Sequence, residues 1–365
     1  MNNTMENHMV GRNKWQLLLA TVLLAVAPLW IPCDVSASPA STQSSDHSLA
    51  GRLELAADGR QLTGRPVVLK ARLTNIGATP ISYWFAGPGD YPSARHFRIY
   101  LTGQDGQTRA VVPTNGQYIR GSGMNREVKP GAMVEVPLAL APLPDGTWSV
   151  RVGSDEEYYL DQPSGKREVF WPAMPRSVPV KIEITQNAAA VAAWDRQLLN
   201  NVRQHNPFAK HLATAYHVDF VINAAISDLV GDDPKLAVAA ADTLYFVRPL
   251  PPSAEKAIES AIDSQLALAP DRIDPEFLAY VLELAGEFPT GAMLEKVLAV
   301  AHCPFQWAVD VEMHYAAVST LRYFPQNRAV VELKAFLNDK SQIIREGARA
   351  ALDHPWPPQL RSAQQ

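Results

Sequence analysis

The chain has 365 residues, of which 47% are hydrophobic and 19% charged, with a formal net charge of −4. That length allows two or three domains, and that apolar share excludes bulk disorder. The mild acidity argues against a nucleic-acid binder with a basic surface, and 2 cysteines exclude a disulfide-dense scaffold or a thiolate metal cluster. The 29 prolines against 20 glycines predict many short elements stopped by proline.

Residues 1–14 are polar and end in a basic pair, Arg12 and Lys14. Trp15 to Cys33 is apolar apart from Gln16, and small residues follow from Val35 to Ala40. Val35 and Ala37 suit cleavage after Ala37, which predicts a secretory signal peptide over 1–37. An uncleaved anchor is the alternative, although Pro28 and Pro32 interrupt the apolar stretch. Both place the rest of the chain outside the cytoplasm, in the periplasm or beyond the cell, with any membrane contact through the N-terminal segment alone. Trp30, Ile31 and Pro32 do not suit lipidation of Cys33, so Cys303 is the only thiol after cleavage. Residues 38–47 read as a flexible linker and 357–365 as a disordered tail.

From 48 to 185 the apolar residues recur with period two. Leu53 and Leu55 form one face, as do Val67, Leu69, Ala71 and Leu73. Phe97, Ile99 and Leu101 repeat the pattern, followed by Val134, Val136, Leu138 and Leu140. Trp148, Val150 and Val152 come next, and Val178, Val180, Ile182 and Ile184 close the series. Asp58-Gly59, Asp105-Gly106, Asn115-Gly116, Pro130-Gly131 and Asp145-Gly146 punctuate it. Short alternating strands between such turns predict an antiparallel sandwich.

Val68 to Gly77, with Asn75-Ile76-Gly77 at its end, resembles the second strand of bacterial immunoglobulin-like domains. Val128 to Val136 is similar to their Pro-Gly turn before a late strand, and Leu143 to Val152 to their Gly-aromatic strand near the end. The resemblance implies an immunoglobulin-like β-sandwich over 48–185 and no particular activity. The stretch 153–177 departs from it, being long for a sandwich turn. Tyr158, Tyr159 and Trp171 make it a candidate aromatic binding loop, since such side chains anchor interfaces. A loop folded over the sheet, or docked on the second domain, is the plainer reading.

Near Gln186 alanine becomes frequent and the period turns helical. Val191, Trp194, Leu198 and Val202 share one face of a helix that His205-Asn206-Pro207 ends. Four segments then end alike, at Pro249, Pro289, Pro325 and Pro355. Aligning Leu244, Leu284, Leu321 and Leu352 gives steps of 40, 37 and 31 residues, long enough for two helices each. Ala329 to Leu352 has an Asn338-Asp339 turn between two helical faces and resembles a HEAT-type repeat. Ile226 to Leu244 is similar, with Asp232-Asp233-Pro234 at its turn. The resemblance implies an α-helical HEAT-like repeat stack over 186–356 with an extended binding face.

Motifs for nucleophilic hydrolysis, zinc peptidases, phosphate loops and dinucleotide binding do not occur. His211 and His217 stand about 240° apart on a helix, which disfavours a shared metal. Cys303 follows His302, and adjacent residues rarely make a nucleophile and base, so burial is the plainer role. Glu312 and His314 lack a second ligand at metal spacing. No catalytic residue, cofactor or metal is therefore expected. The function expected is an exported, non-catalytic binding or scaffold protein with a protein or cell-envelope polymer partner and no nucleic acid. The alternatives are an extracytoplasmic hydrolase with a site between the domains, using His211, His217, His302, Glu312 or His314, and a sandwich-type protease inhibitor.

Overall fold

The structure is a computed structural model and describes residues 51–57, 60–86, 91–92, 94, 96–116, 123–154, 158–161, 167–171, 174–303 and 308–353. The expected signal peptide, linker and tail lie outside the described residues. Two compact units divide at Ala188/Ala189, strands in the first and helices in the second.

The first unit holds β1 (Gly51–Ala57), β2 (Arg60–Leu62), β3 (Val67–Asn75), β4 (Ile81–Ala86), β5 (Tyr91–Pro92), β6 (Arg98–Thr102) and β7 (Thr108–Val111). It continues with β8 (Gly123–Val128), β9 (Met133–Leu140), β10 (Gly146–Gly153), β11 (Tyr158–Asp161), β12 (Arg167–Trp171) and β13 (Val180–Thr185). One sheet has the order β1-β3-β9 and another β2-β13-β10-β6-β7; β5-β4-β8 and β11-β12 form smaller ones. Alternation decides what is buried. Val67, Leu69, Ala71 and Leu73 are fully enclosed, while Lys70 and Arg72 between them face water. Leu69, Leu73 and Leu138 from one sheet share a single core with Ile99, Ile182 and Ile184 from the other. Burial of each such side chain is worth about 1.5–3 kcal/mol.

Two expectations fail here. Val178 does not share the inward face of its series: it is 81% exposed, because β13 begins only at Val180. The stretch 153–177 is not a plain loop, because β11 and β12 pair within it and Ser154 bridges to Met174.

Asn75 joins the end of β3 to the turn between β8 and β9. Its side chain is fully enclosed and donates to the carbonyls of Val128 at 2.7 Å and Thr79 at 2.8 Å, while its Oδ1 accepts from the Gly77 amide at 2.9 Å. Its backbone exchanges bonds with the 129–132 turn, accepting from Gly131 and donating to Ala132. That turn needs a glycine, since Gly131 has φ 77°.

The second unit holds α1 (Ala188–Arg203), α2 (Pro207–Ala215), α3 (Asp219–Asp228), α4 (Pro234–Leu244) and α5 (Ala254–Leu266). Then come α6 (Pro275–Ala285), α7 (Gly291–Ala301), α8 (Ala308–Thr320), α9 (Asn327–Phe336) and α10 (Gln342–Asp353). Helices pair as α3–α4, α5–α6, α7–α8 and α9–α10, and the second members form a row in which α4 meets α6, α6 meets α8 and α8 meets α10. Leu244, Leu284 and Leu321 are fully enclosed at the ends of that row.

Proline also starts helices. Asn206, Asp233 and Asp274 each cap a helix by accepting from its first free amides, and Pro207, Pro234 and Pro275 follow as the first helical residues. The missing N–H costs nothing there. His205-Asn206-Pro207 therefore belongs to the start of α2, and α1 ends at Arg203.

Ion pairs tie neighbouring elements together. Lys210 reaches Asp242 at 2.8 Å, Arg248 reaches Glu287 at 2.9 Å and Lys296 reaches Asp263 at 2.6 Å. Arg328 pairs with Glu295, and His302 lies 3.0 Å from Glu332.

Candidate functional site

The backbone register places Tyr158 opposite Trp171 and Tyr159 opposite Val169, with an irregularity between the two tyrosines. The three candidate aromatics thus occupy the open end of a β-hairpin, whose second strand runs beside β4.

The histidines have separate local duties. His302 pairs with Glu332 and stacks on Phe336, with ring centroids 5.2 Å apart. The Nε2 of His314 lies 2.7 Å from the Cys303 carbonyl, tying α8 to the segment before it. His211 meets Tyr216 edge-on, and burial lowers its pKa to about 4. His217 is exposed just beyond α2, with φ 47°. The Glu312 side chain lies outside the described residues. Among the described residues, no group of three or more His, Cys, Asp and Glu side chains is placed to hold a metal.

A more connected group lies where the second helices of successive hairpins end. Tyr245 and Phe246 follow α4, Tyr280 and Glu283 lie on α6, Glu287 follows α6, and Arg322 and Tyr323 form the 3-10 turn after α8. The Tyr245 ring meets Tyr280 edge-on at 6.0 Å and Phe246 at 5.1 Å. The Arg248 guanidinium stands 5.6 Å over Tyr245, and that of Arg322 stands 4.6 Å over Tyr323 while donating to its hydroxyl. Lys210 lies 4.5 Å from the centre of the Phe246 ring, which is 52% exposed. The result is a band of rings and charges crossing three hairpins.

Glu283 is the odd member. Its place in the hairpin, just before the enclosed leucine, is taken by Thr243 and Thr320 in the flanking hairpins, and both threonines are buried. A carboxylate at such a position loses hydration. Burial is the main force raising its pKa above the ordinary 4.5; Glu287 adds to this, and Arg322 and Arg248 oppose it. Burial and then Glu283 push the Tyr245 hydroxyl up to about 12, and burial raises Tyr280 and Tyr323 as well. All three phenols therefore stay neutral at physiological pH. Among the described residues, the Nε of Arg322 is buried without a hydrogen-bond acceptor. Flat rings, phenol donors and guanidinium forks are the side-chain mix of protein-binding hot spots.

No local sequence pattern marks this band, because its members stand in different helical hairpins. The leucine alignment contains the signal: it brings Tyr245 into register with Arg322, and Phe246 with Gly286 and Tyr323.

No family model and no curated protein matches the chain. Among solved structures it is similar to the CARDB domain of a Pyrococcus furiosus protein, determined with di-metal ions. That likeness has 8% identity and a TM-score of 0.22, and covers 39% of this chain and 99% of that one. It is also similar to a Listeria innocua β-glucosidase at 10% identity and a TM-score of 0.21, covering 37% of this chain and 16% of that one. A third likeness is to the archaellum periplasmic stator complex of FlaF and FlaG from Sulfolobus acidocaldarius, at 20% identity and a TM-score of 0.17, covering 36% of this chain and 96% of that one. At TM-scores this low, none bears on what the chain does. Among the described residues, no helix is long and apolar enough to cross a membrane.

Proposed function

We propose that the chain is an exported, non-catalytic scaffold: an immunoglobulin-like β-sandwich followed by a HEAT-type helical stack that holds a protein partner. The signal pattern at residues 1–37 supports export. The shared core of the two larger sheets supports the sandwich reading, and the row of second helices supports the stack. The observation that carries the binding role is the band of Tyr245, Phe246, Tyr280, Arg322 and Tyr323. It runs across successive hairpins, where an extended partner would meet it without entering a cleft.

A photocrosslinking amino acid at Phe246 of the full chain, irradiated in its own envelope fraction, tests this. A protein adduct is expected from position 246 and not from exposed Glu346, and it should fade when Tyr245 and Tyr280 are both changed to alanine. An adduct from position 158 alone would move the contact to the β11–β12 hairpin, and no adduct from either position would end the reading.

A further inference from the structure

The chain leaves its last hairpin in line with the tyrosine band. α9 begins at Asn327, just past the 3-10 turn that holds Arg322 and Tyr323. α10 pairs with α9 after the short connection 337–341, so it runs back antiparallel and its C-terminal end returns to the level of that turn. α10 also packs on α8 and on the turn itself. Two close approaches fix the register: Gly286 lies against Tyr323, and Gly347 against Tyr315 and Ser319. Both agree with the leucine alignment, in which Gly286 and Tyr323 each follow their leucine by two places. The same step past Leu352 brings position 354 beside Tyr323.

Residues 354–360 lie outside the described residues and read His-Pro-Trp-Pro-Pro-Gln-Leu. Pro355, Trp356, Pro357, Pro358 and Leu360 make this run mostly apolar, which is costly to leave in water. Proline has no N–H, so at three positions its main chain can only accept hydrogen bonds. A polyproline-type segment rises about 3.1 Å per residue, so this run can extend about 22 Å. Packed helices stand about 8–10 Å apart. The run can therefore pass over the end of α8 and reach α6.

Two apolar seats lie within that reach. One is the start of α9, where Val330 and Val331 are exposed. The other is the band. Valines offer apolar contact alone, whereas the band adds flat rings and donors. The phenols of Tyr245 and Tyr280 can donate, and the buried Arg322 Nε has no acceptor among the described residues. Aromatic rings with donors between them are what proline-rich segments dock on. We infer that residues 354–360 lie along the band, with Trp356 over Arg322 and Tyr323 and Leu360 toward Tyr280, so that a partner must displace them. The docking stands on register and chemistry; its effect on a partner rests on the binding role proposed above.

A photocrosslinking amino acid at Trp356 of the purified full chain tests the docking. Irradiation in dilute solution should link it to the tryptic fragment 323–328 of the same chain. A link to fragment 329–334, which carries Val330 and Val331, would overturn the inference. So would links between two chains, or none. In the envelope fraction, Trp356→Ala should raise the protein adduct from position 246 at least about threefold, the gain where the segment holds the band about two-thirds of the time. An adduct that is present but unchanged would overturn the displacement. No adduct from either chain is a failure of the partner reading alone, and the link from position 356 still decides the docking.

Discussion

The ring of Tyr323 lies directly on Gly286: a β-carbon at position 286 would overlap the ring edge. The glycine caps α6 and the tyrosine ends the 3-10 turn after α8, so this contact sets how closely two successive hairpins approach. Gly286→Ala should push the ring away and break its bond with Arg322. A cost of about 1–3 kcal/mol is expected from overpacking of this kind, read as a lower urea midpoint. Adding Tyr323→Ala should recover part of the loss. Strict additivity of the two changes would show that they do not touch.

Glu283 should make the helical unit more stable in mild acid than at neutral pH. Its folded carboxyl holds a proton above the ordinary 4.5, where the unfolded chain has already released it. Stability therefore falls as pH rises past that value and levels off once the folded carboxyl has ionised. Glu287, raised for the same reason, adds a slope of the same sign. Glu283→Gln should flatten the pH dependence of the urea midpoint while leaving the Glu287 share. An unchanged slope would remove Glu283 as its source.

His211 should act in the opposite sense. Burial lowers its pKa from 6.5 to about 4, so the unfolded chain takes up a proton that the folded chain refuses. Stability falls as pH drops from about 6.5 toward 4. An NMR titration of the ring should show it neutral at pH 5.5, and His211→Gln should lose this acid sensitivity. A ring that titrates near 6.5 would contradict the burial argument.

Asn75→Ala should be among the most damaging single changes in the strand unit. It strips three hydrogen bonds from an enclosed site and leaves the carbonyls of Thr79 and Val128 and the amide of Gly77 without their partner. A loss of about 2–4 kcal/mol is expected. Thermal unfolding of residues 51–185 within the full chain, followed by tryptophan fluorescence, measures it. A loss well under about 1 kcal/mol would mean that water replaces the side chain.

Legibility in the sequence followed the range of each interaction. β3 was readable because every second residue, from Val67 to Leu73, meets the same core. β4 was not: Ile81-Ser82-Tyr83-Trp84-Phe85-Ala86 has no clean period, and its place beside β8 depends on partners 37 to 47 residues away in β8 (Gly123–Val128). The closing prolines were visible as punctuation, but the same residue type also opens α2, α4 and α6, and only the preceding Asn or Asp distinguishes the two uses. The tyrosine band lay deepest. Its members acquire neighbours only when one hairpin stacks on the next, and no local pattern marks Glu283 as different from the threonines it replaces.

The ion pairs between neighbouring elements carry a mechanical consequence. Lys296 grips Asp263 and Arg328 grips Glu295, each one hairpin away, while each second helix packs on the next in the row. Load applied along such a stack passes from each hairpin to the next. Tension at the C-terminal end should peel α9–α10 first and then α7–α8, giving a staircase of small extensions rather than a single rupture.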